Sequence, residues 1–309
     1  MYNQKRIIKI LLFAVILQLL LFLFYYIYIT FIKTTYISHI TPHVNIISQQ
    51  KKSLPTSLEF SKVIEYKVTQ KRLVEKLKRI APHTKEDIIA IKNKFVRPIL
   101  YTKSIPLSKL SIQQKKQKFI DMMIPSILVA KQQLKYEQER VAKLILQKNI
   151  SDKDKEWLSQ KRKKFQALDN YELYNKMETH PTSIIIAQAI IESGWGTSKF
   201  FQRANNVFGV WSFDNKGKRI SASKKRGNKT IYLKKYQNIE ASIYDYLLTL
   251  SKKDVYKEFR KKRLETKDPY QLADYLTKYS EEREVYTKRV KDMIKKNRLA
   301  VYDKYQLDL

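Results

Sequence analysis

The chain has 309 residues, a formal net charge of +33 and no cysteine. This length allows one sizeable core plus additional segments, and the lack of cysteine excludes disulfides, thiolate metal sites and a cysteine nucleophile. His180 is the one histidine beyond residue 100, so no paired-histidine zinc site can form there. We expect no metal and no cofactor, which leaves carboxylate chemistry as the economical enzymatic option. The basic excess indicates either a polyanionic partner (nucleic acid, an acidic membrane surface or an acidic cell-wall polymer) or a solvated basic surface.

An uncharged apolar segment runs from Ile10 to Ile32. It is long enough to span a hydrocarbon core of ~30 Å as a helix. Basic residues precede it and no small-residue cleavage site follows it, which predicts an uncleaved anchor over residues 1–33 in the inner (cytoplasmic) membrane. The remainder would then lie on the periplasmic or extracytoplasmic side. Because an exported domain meets little nucleic acid, nucleic-acid binding is not expected.

Residues 34–106 are punctuated by prolines, and we interpret them as a stalk or prefix segment. Ser61 to Ile80 is amphipathic and typical of a helix. Thr84 is expected to open a second helix, because Glu86 and Asp87 fall in its first turn.

From Ser108 onward the apolar spacing becomes helical. Pro125 is expected to start or kink a helix. Ser151 to Asp154 is typical of a capping box that opens the next helix. These two helices predict an αα-hairpin packed against the apolar segment that follows.

That segment begins at Pro181 and continues to Glu192, and it is apolar on every face except at Gln188. A helix that is apolar all round is buried, and Gly194 and Gly196 are suited to end it. We interpret His180 as a helix-entry residue. Desolvation and the negative end of the helix dipole should raise the pKa of Glu192, and a protonated carboxyl is what glycoside hydrolysis needs as its general acid. The alternative is a Glu192 carboxylate paired with a lysine or arginine.

The pattern beyond residue 206 changes from helical to alternating. Val207 to Phe213 and Thr230 to Tyr236 predict two strands, and helices resume from Ile239. This pattern predicts a mainly α, lysozyme-like two-lobed α+β domain over 107–300, with a small β-hairpin lobe beside a cleft. Residues 301–309 would form a C-terminal tail.

Two separate motifs in this region resemble the glucosaminidase (mannosyl-glycoprotein endo-β-N-acetylglucosaminidase-like) family. The motifs are Ala187-Gln188-Ala189-x-x-Glu192-Ser193-Gly194-Trp195-Gly196 and Asn205-Asn206-x-Phe208-Gly209. Three further features are similar to the Bax-like branch of that family: the preceding hairpin, the segment from Val255 to Arg263, and Tyr279-Ser280 followed by Tyr286. The resemblance covers roughly residues 110–300.

The resemblance implies hydrolysis of β-1,4-linked N-acetylglucosaminyl bonds in peptidoglycan. Glu192 takes the general-acid position and Tyr279 the tyrosine that lines the catalytic centre. Asn205, Asn206 and Phe208 match the element that shapes the cleft floor, although the two asparagines could instead satisfy backbone groups at a turn. Three further residues are candidate substrate contacts: Ser193, and Trp195 and Tyr236, whose rings could stack on sugars or pack between the lobes.

Asp214 is the one acidic residue between Val207 and Ile239, and it lies in a predicted hairpin turn. It would be the second carboxylate of an inverting mechanism; otherwise the 2-acetamido group of the substrate could act as an internal nucleophile. The other class of function left open is a catalytically inactive peptidoglycan-binding or scaffolding module. Lysines and arginines between residues 216 and 229 could adsorb to the acidic wall or form a solvated loop.

Overall fold

The computed structural model describes residues 70–213, 217–226 and 229–309. These residues belong to one compact unit, Leu58–Leu309. Within the described ranges, no helix is both long and apolar enough to cross a membrane. The anchor predicted at Ile10–Ile32 and the residue Asp214 lie outside those ranges, so both interpretations stay predictions.

The unit is mainly helical with few strands, as the sequence predicts. The helices are α1 (Ile112–Leu146), α2 (Asp152–Phe165), α3 (Asn170–Lys176), α4 (Thr182–Ser193), α5 (Lys199–Ala204), α6 (Ile239–Lys252), α7 (Lys257–Glu265), α8 (Pro269–Ala273) and α9 (Glu284–Lys296). Short 3-10 helices cover Leu107–Lys109, Asp254–Tyr256, Asp274–Leu276 and Leu299–Lys304. The long helix α1 packs against α3, α4 and α6 and forms the centre of the core.

Helix α1 runs through Pro125 without ending there, so the prediction that this proline starts a helix is wrong. Proline in a helix interior costs about 3 kcal/mol, because it removes one backbone hydrogen bond. The residues around it, including Met123, Ile124 and Ile127, are fully buried. Burial of this apolar stripe offsets the local cost, since helical stability in proteins comes mostly from packing. Ser151 caps α2 as predicted, by accepting a hydrogen bond from the backbone N–H of Asp154.

Helix α4 is the buried helix that the sequence predicts. All its residues from Thr182 to Ile190 are buried. Pro181 is the N-cap, so the helix begins at Thr182, one residue later than expected, and Gly194 ends the helix in the left-handed conformation with a φ of 58°. A glycine adopts this conformation without the steric cost that a Cβ would bring.

The packed unit reaches beyond the limits 107–300 at both ends. Strand β1 (Lys78–Ile80) pairs in parallel with β3 (Ile99–Tyr101), and β2 (Phe95–Val96) pairs in parallel with β6 (Gln306–Leu307). Because β6 follows the last helix, the predicted tail is part of a sheet. Several apolar side chains of the predicted stalk also join the core, namely Ile88, Val96, Ile99, Tyr101 and Ile105.

Two predicted helices lie before residue 107. The first is helical at residues 70–76, but its predicted end, Lys78–Ile80, is a strand. The segment opened by Thr84 is a turn, in which the Asp87 carboxylate accepts hydrogen bonds from the N–H groups of His83 and Thr84 at 2.8 and 3.0 Å. The Asp87 side chain thus binds backbone N–H groups of a turn. Such local hydrogen bonds of short acidic side chains compete with helix formation.

The β-lobe consists of β4 (Arg219–Arg226) and β5 (Lys229–Lys234), which pair antiparallel. The second predicted strand matches β5, but the first predicted strand, Val207–Phe213, does not match β4. That segment makes a single antiparallel bridge, from Trp211 to Leu233. The partner strand is the basic segment after it, which reads poorly as a strand because its residues are small and charged.

Candidate active site

Glu192 lies in the last turn of α4 and is half-buried. Its Oε1 accepts a hydrogen bond of 2.8 Å from the hydroxyl of Tyr286 in α9. The C-terminal end of a buried helix therefore places a carboxyl group at the edge of the core. Tyr286, 94 positions further along the chain, holds this group by a hydrogen bond.

Burial raises the pKa of the Glu192 carboxyl above its usual value. The hydrogen bond from Tyr286 and the charge of Arg289 act in the opposite direction, and the charge of Glu282 adds to the increase. Arg289 and Glu282 pair with each other, so their effects on Glu192 partly cancel. The net increase agrees with the expected direction and suits a general acid.

Tyr279 lies next to Tyr286, with the two rings stacked at 5.4 Å and 19°. Its ring also meets Tyr246 edge to face, with centroids 6.1 Å apart. Burial raises the pKa of Tyr279 well above its usual value, and the charge of Glu192 contributes. Tyr279 is therefore an uncharged phenol beside the carboxyl site, and its catalytic role stays a prediction.

The turn after Glu192 is held by Ser193, which is 1% exposed. Its hydroxyl donates to the carbonyl of Ala189 at 2.6 Å and accepts from the N–H of Gly196 at 3.0 Å. Trp195 is half-buried, with its ring edge to face with Phe119 at 5.9 Å and the Lys116 Nζ 5.0 Å from the ring centroid. The structure thus places both residues in packing contacts, and their contact with substrate stays a prediction.

The two asparagines bind backbone groups. Asn205 donates to the carbonyls of Thr102 and Tyr236 at 2.8 and 3.1 Å. Asn206 donates to the carbonyls of Val210 and Lys234 and accepts from the N–H of Val210 at 2.9 Å. These bonds join the end of α5 to the β-lobe, which is the turn role considered for them; substrate contact stays a prediction.

Phe208 and Tyr236 connect α6 to the segments before it. The Phe208 ring stacks on Tyr246 at 4.1 Å and 14°. The hydroxyl of Tyr236 donates to Asp245 Oδ2 at 2.6 Å, and Lys234 Nζ binds the same oxygen at 2.8 Å. Phe208 is buried and Tyr236 half-buried, so both rings pack between elements, and sugar stacking by Tyr236 stays a prediction.

Sequence reasoning missed several residues that surround Glu192. Gln188, four positions earlier on the same face of α4, donates to Tyr286, and Tyr246 donates to Gln188. A lone polar residue in an otherwise apolar helix was the available signal for Gln188. Tyr246 and the Glu282–Arg289 pair carry no comparable signal, because they come from other elements. In the part of the chain that the structure describes, His, Asp and Glu form no group of three that could hold a metal ion.

Residues 168–299 match the family model Glucosaminidase, described as mannosyl-glycoprotein endo-beta-N-acetylglucosaminidase. The matched range contains Glu192, both β-lobe strands and Tyr286. The chain therefore carries a glucosaminidase-family domain, which places it in the glycoside hydrolase class of enzymes. The predicted resemblance to this family is confirmed.

Among individual proteins, "Protein bax" of Escherichia coli (strain K12) is 32% identical over 91 residues. The aligned part is 29% of this chain and 31% of that protein, so the chain spans about a third of the length of this curated relative.

Three solved structures are similar to the chain, each at low identity. The catalytic domain of the autolysin Auto from Listeria monocytogenes has 19% identity and a TM-score of 0.35, covering 54% of this chain and 96% of that one. The glycoside hydrolase domain of FlgJ from Salmonella typhimurium has 23% identity and a TM-score of 0.32, with coverages of 47% and 87%. A peptidoglycan hydrolase from Sphingomonas sp. A1 has 21% identity and a TM-score of 0.34, with coverages of 47% and 87%.

Proposed function

We propose that this protein is a peptidoglycan hydrolase that cleaves β-1,4 N-acetylglucosaminyl bonds, with Glu192 as the proton donor. The observation that carries the proposal is the half-buried Glu192 carboxyl, whose pKa is raised by burial and which Tyr286 holds by a 2.8 Å hydrogen bond. The family match over residues 168–299 supports the same class of reaction.

In this mechanism Glu192 protonates the oxygen of the scissile bond, and the sugar that carries this oxygen leaves as positive charge develops at the anomeric carbon of the sugar that stays bound. Two routes then complete the reaction. Either a water assisted by Asp214 attacks that carbon with inversion, or the 2-acetamido group of the substrate attacks first, water then opens the cyclic intermediate, and the product retains its configuration. Tyr279 would line the centre in both routes. The configuration of the newly formed anomeric centre distinguishes them.

The same proposal includes location. The apolar segment Ile10–Ile32, with basic residues before it, supports a single-pass anchor in the inner (cytoplasmic) membrane. The domain would then face peptidoglycan on the periplasmic or extracytoplasmic side. Its fold would be lysozyme-like, with two lobes. The net charge of +33 favours adsorption to a wall polymer that carries carboxylates.

The test is digestion of purified peptidoglycan sacculi by the chain and by its Glu192→Gln variant. We expect the wild type to release fragments with N-acetylglucosamine reducing ends, identified by mass spectrometry, and the variant to release none. Muramic acid ends would contradict the proposed bond. No release, together with equal binding of both proteins to sacculi, would contradict hydrolysis and support an inactive wall-binding module.

A further inference from the structure

Five polar side chains form a continuous series of hydrogen bonds that ends at Glu192. His180 Nε2 lies 3.0 Å from the Tyr246 hydroxyl, which donates to Gln188 Oε1 at 2.5 Å. Gln188 Nε2 donates to the Tyr286 hydroxyl at 3.0 Å, and Tyr286 donates to Glu192 Oε1 at 2.8 Å. The series links the segment before α4 to helices α6, α4 and α9.

The series has one direction. A phenol has a single proton, and Tyr286 gives its proton to Glu192 while it accepts from the Gln188 amide. Tyr246 gives its proton to the Gln188 carbonyl, so it can accept only from His180. Every donor therefore points toward the carboxyl group.

His180 fits the start of such a series. Its ring is 1% exposed, and burial lowers its pKa well below the usual value, as do the nearby charges of Arg263, Lys131 and Lys267. The neutral ring must then carry its proton on Nε2 to donate to Tyr246. Its Nδ1 has no hydrogen-bond partner among the described residues, which agrees with a nitrogen that carries no proton.

The rings in the series are held by stacking. Phe208 lies against Tyr246 at 4.1 Å, and Tyr279 lies against Tyr286 at 5.4 Å. Because Tyr246 and Tyr286 are also fully enclosed by the core, neither hydroxyl can turn to another partner without repacking. The direction of the series is therefore built into the fold.

We infer that His180, Tyr246 and Gln188 are positioning residues that fix Tyr286 as the donor to Glu192 Oε1 and thereby leave the acid proton on Oε2. The inference rests on the proposed function of Glu192 as a proton donor. With the opposite direction, the Glu192 proton would lie on Oε1 and point into the protein toward Tyr286. The observed direction keeps it available to a bound substrate.

The test compares Tyr246→Phe and His180→Gln with the wild-type 309-residue chain in sacculus digestion. Without the Tyr246 hydroxyl, the Gln188 amide can reverse and accept from Tyr286, so Glu192 loses its donor. We expect kcat to fall about tenfold or more with KM little changed, since misplacement of a reacting group is costly. The basic limb of the pH–rate profile should move to higher pH, because a Glu192 carboxylate without a hydrogen-bond donor is less stable and the pKa of the group therefore rises.

Tyr101→Phe is the matched control. Its hydroxyl is also buried and also hydrogen-bonded, to the N–H of Ile89 at 3.0 Å, but it lies outside the series. We expect this variant to lose stability yet keep the wild-type kcat and pH profile. If Tyr246→Phe and His180→Gln behave like Tyr101→Phe, the inference is wrong.

A second readout does not depend on substrate. In protein labelled with ¹³C at glutamate side-chain carboxyls, the Glu192 signal is assigned by its loss in Glu192→Gln and titrated in each variant. An upward move of its titration in Tyr246→Phe, and not in Tyr101→Phe, supports the series even if sacculi are not digested. Hydrolysis without that move would contradict the series and leave the proposed function intact.

Discussion

Asp303, close to the end of the chain, accepts hydrogen bonds from both the N–H and the hydroxyl of Ser183, each at 2.7 Å. Ser183 lies in the first turn of α4, where backbone N–H groups need partners and the helix dipole favours a negative charge. The carboxyl end of the chain thus caps the helix whose other end carries Glu192. Pro181, the N-cap itself, supplies no side-chain hydrogen bond.

Asp303→Ala is therefore expected to lower the free energy of unfolding by about 0.5–2 kcal/mol, the usual range for loss of a helix cap. Denaturant titration measures the change. The control is Asp308→Ala, because the Asp308 side chain makes an exposed contact of 3.5 Å with Lys76, and such pairs contribute little. The backbone hydrogen bond from Asp308 to Val96 is kept in this variant. Equal effects of the two substitutions would contradict the capping role.

Substitutions at Gly196 and Gly209 distinguish the cost of backbone strain from the cost of crowding in the core. Both have positive φ, at 75° and 64°. A Cβ on Gly196 would lie 2.7 Å from Leu107 Cδ1 and 2.9 Å from Phe119 Cδ2, whereas a Cβ on Gly209 has nothing within 4 Å among the described residues.

We expect Gly209→Ala to cost about 1–2 kcal/mol from the left-handed conformation alone. Gly196→Ala should cost roughly 1–3 kcal/mol more, because it also overpacks the core. Because Gly196 lies in the turn after Glu192, the variant should also lose hydrolytic activity. Unfolding midpoints that rank the two glycines in the reverse order would contradict the packing.

Glu240, in the first turn of α6, is 6% exposed, and burial raises its pKa to about 7, with Arg79 acting in the opposite direction. The pKa of Glu240 is higher in the folded state than in the unfolded chain, where it is near 4.5. Such a carboxyl group opposes folding once the pH exceeds its pKa in the unfolded chain. Each unit of pKa difference corresponds to about 1.4 kcal/mol.

Glu240→Gln should therefore leave stability unchanged below pH 4 and increase it progressively up to about pH 7, by at most roughly 3 kcal/mol. The helix dipole reduces the gain, because it favours a carboxylate in the first turn. Glu258→Gln is the control: it removes a carboxylate from the same position of α7, where the side chain is exposed. A pH-independent effect at Glu240 would contradict its burial.

The sequence predicted those features that depend on residues close together in the chain. The identity of α4 could be predicted because its apolar residues lie on every face and glycines follow, and Glu192 stands at that boundary. The direction of its pKa shift also follows from this position. The helix start expected at Pro125 is absent, because the local cost of the proline is outweighed by the burial of the residues around it.

The surroundings of Glu192 could not be predicted, because they depend on contacts between distant parts of the chain. Tyr246 and Tyr286 meet Gln188 across 58 and 98 positions. The role of the segment before residue 107 was missed for the same reason: strands β2 and β6 are two residues each and pair across most of the chain. Such short strands carry little periodic signal.

The central claim is that Glu192 donates a proton to the leaving group, and the most direct test varies that group. Initial rates of the wild type and Glu192→Gln are compared on a peptidoglycan fragment and on a 2,4-dinitrophenyl β-glycoside of the same sugar. The dinitrophenolate leaves without protonation. We therefore predict a loss of about 100-fold or more on the fragment and a loss of less than about tenfold on the activated glycoside. Equal losses on both substrates, or no loss on the fragment, would contradict proton donation by Glu192.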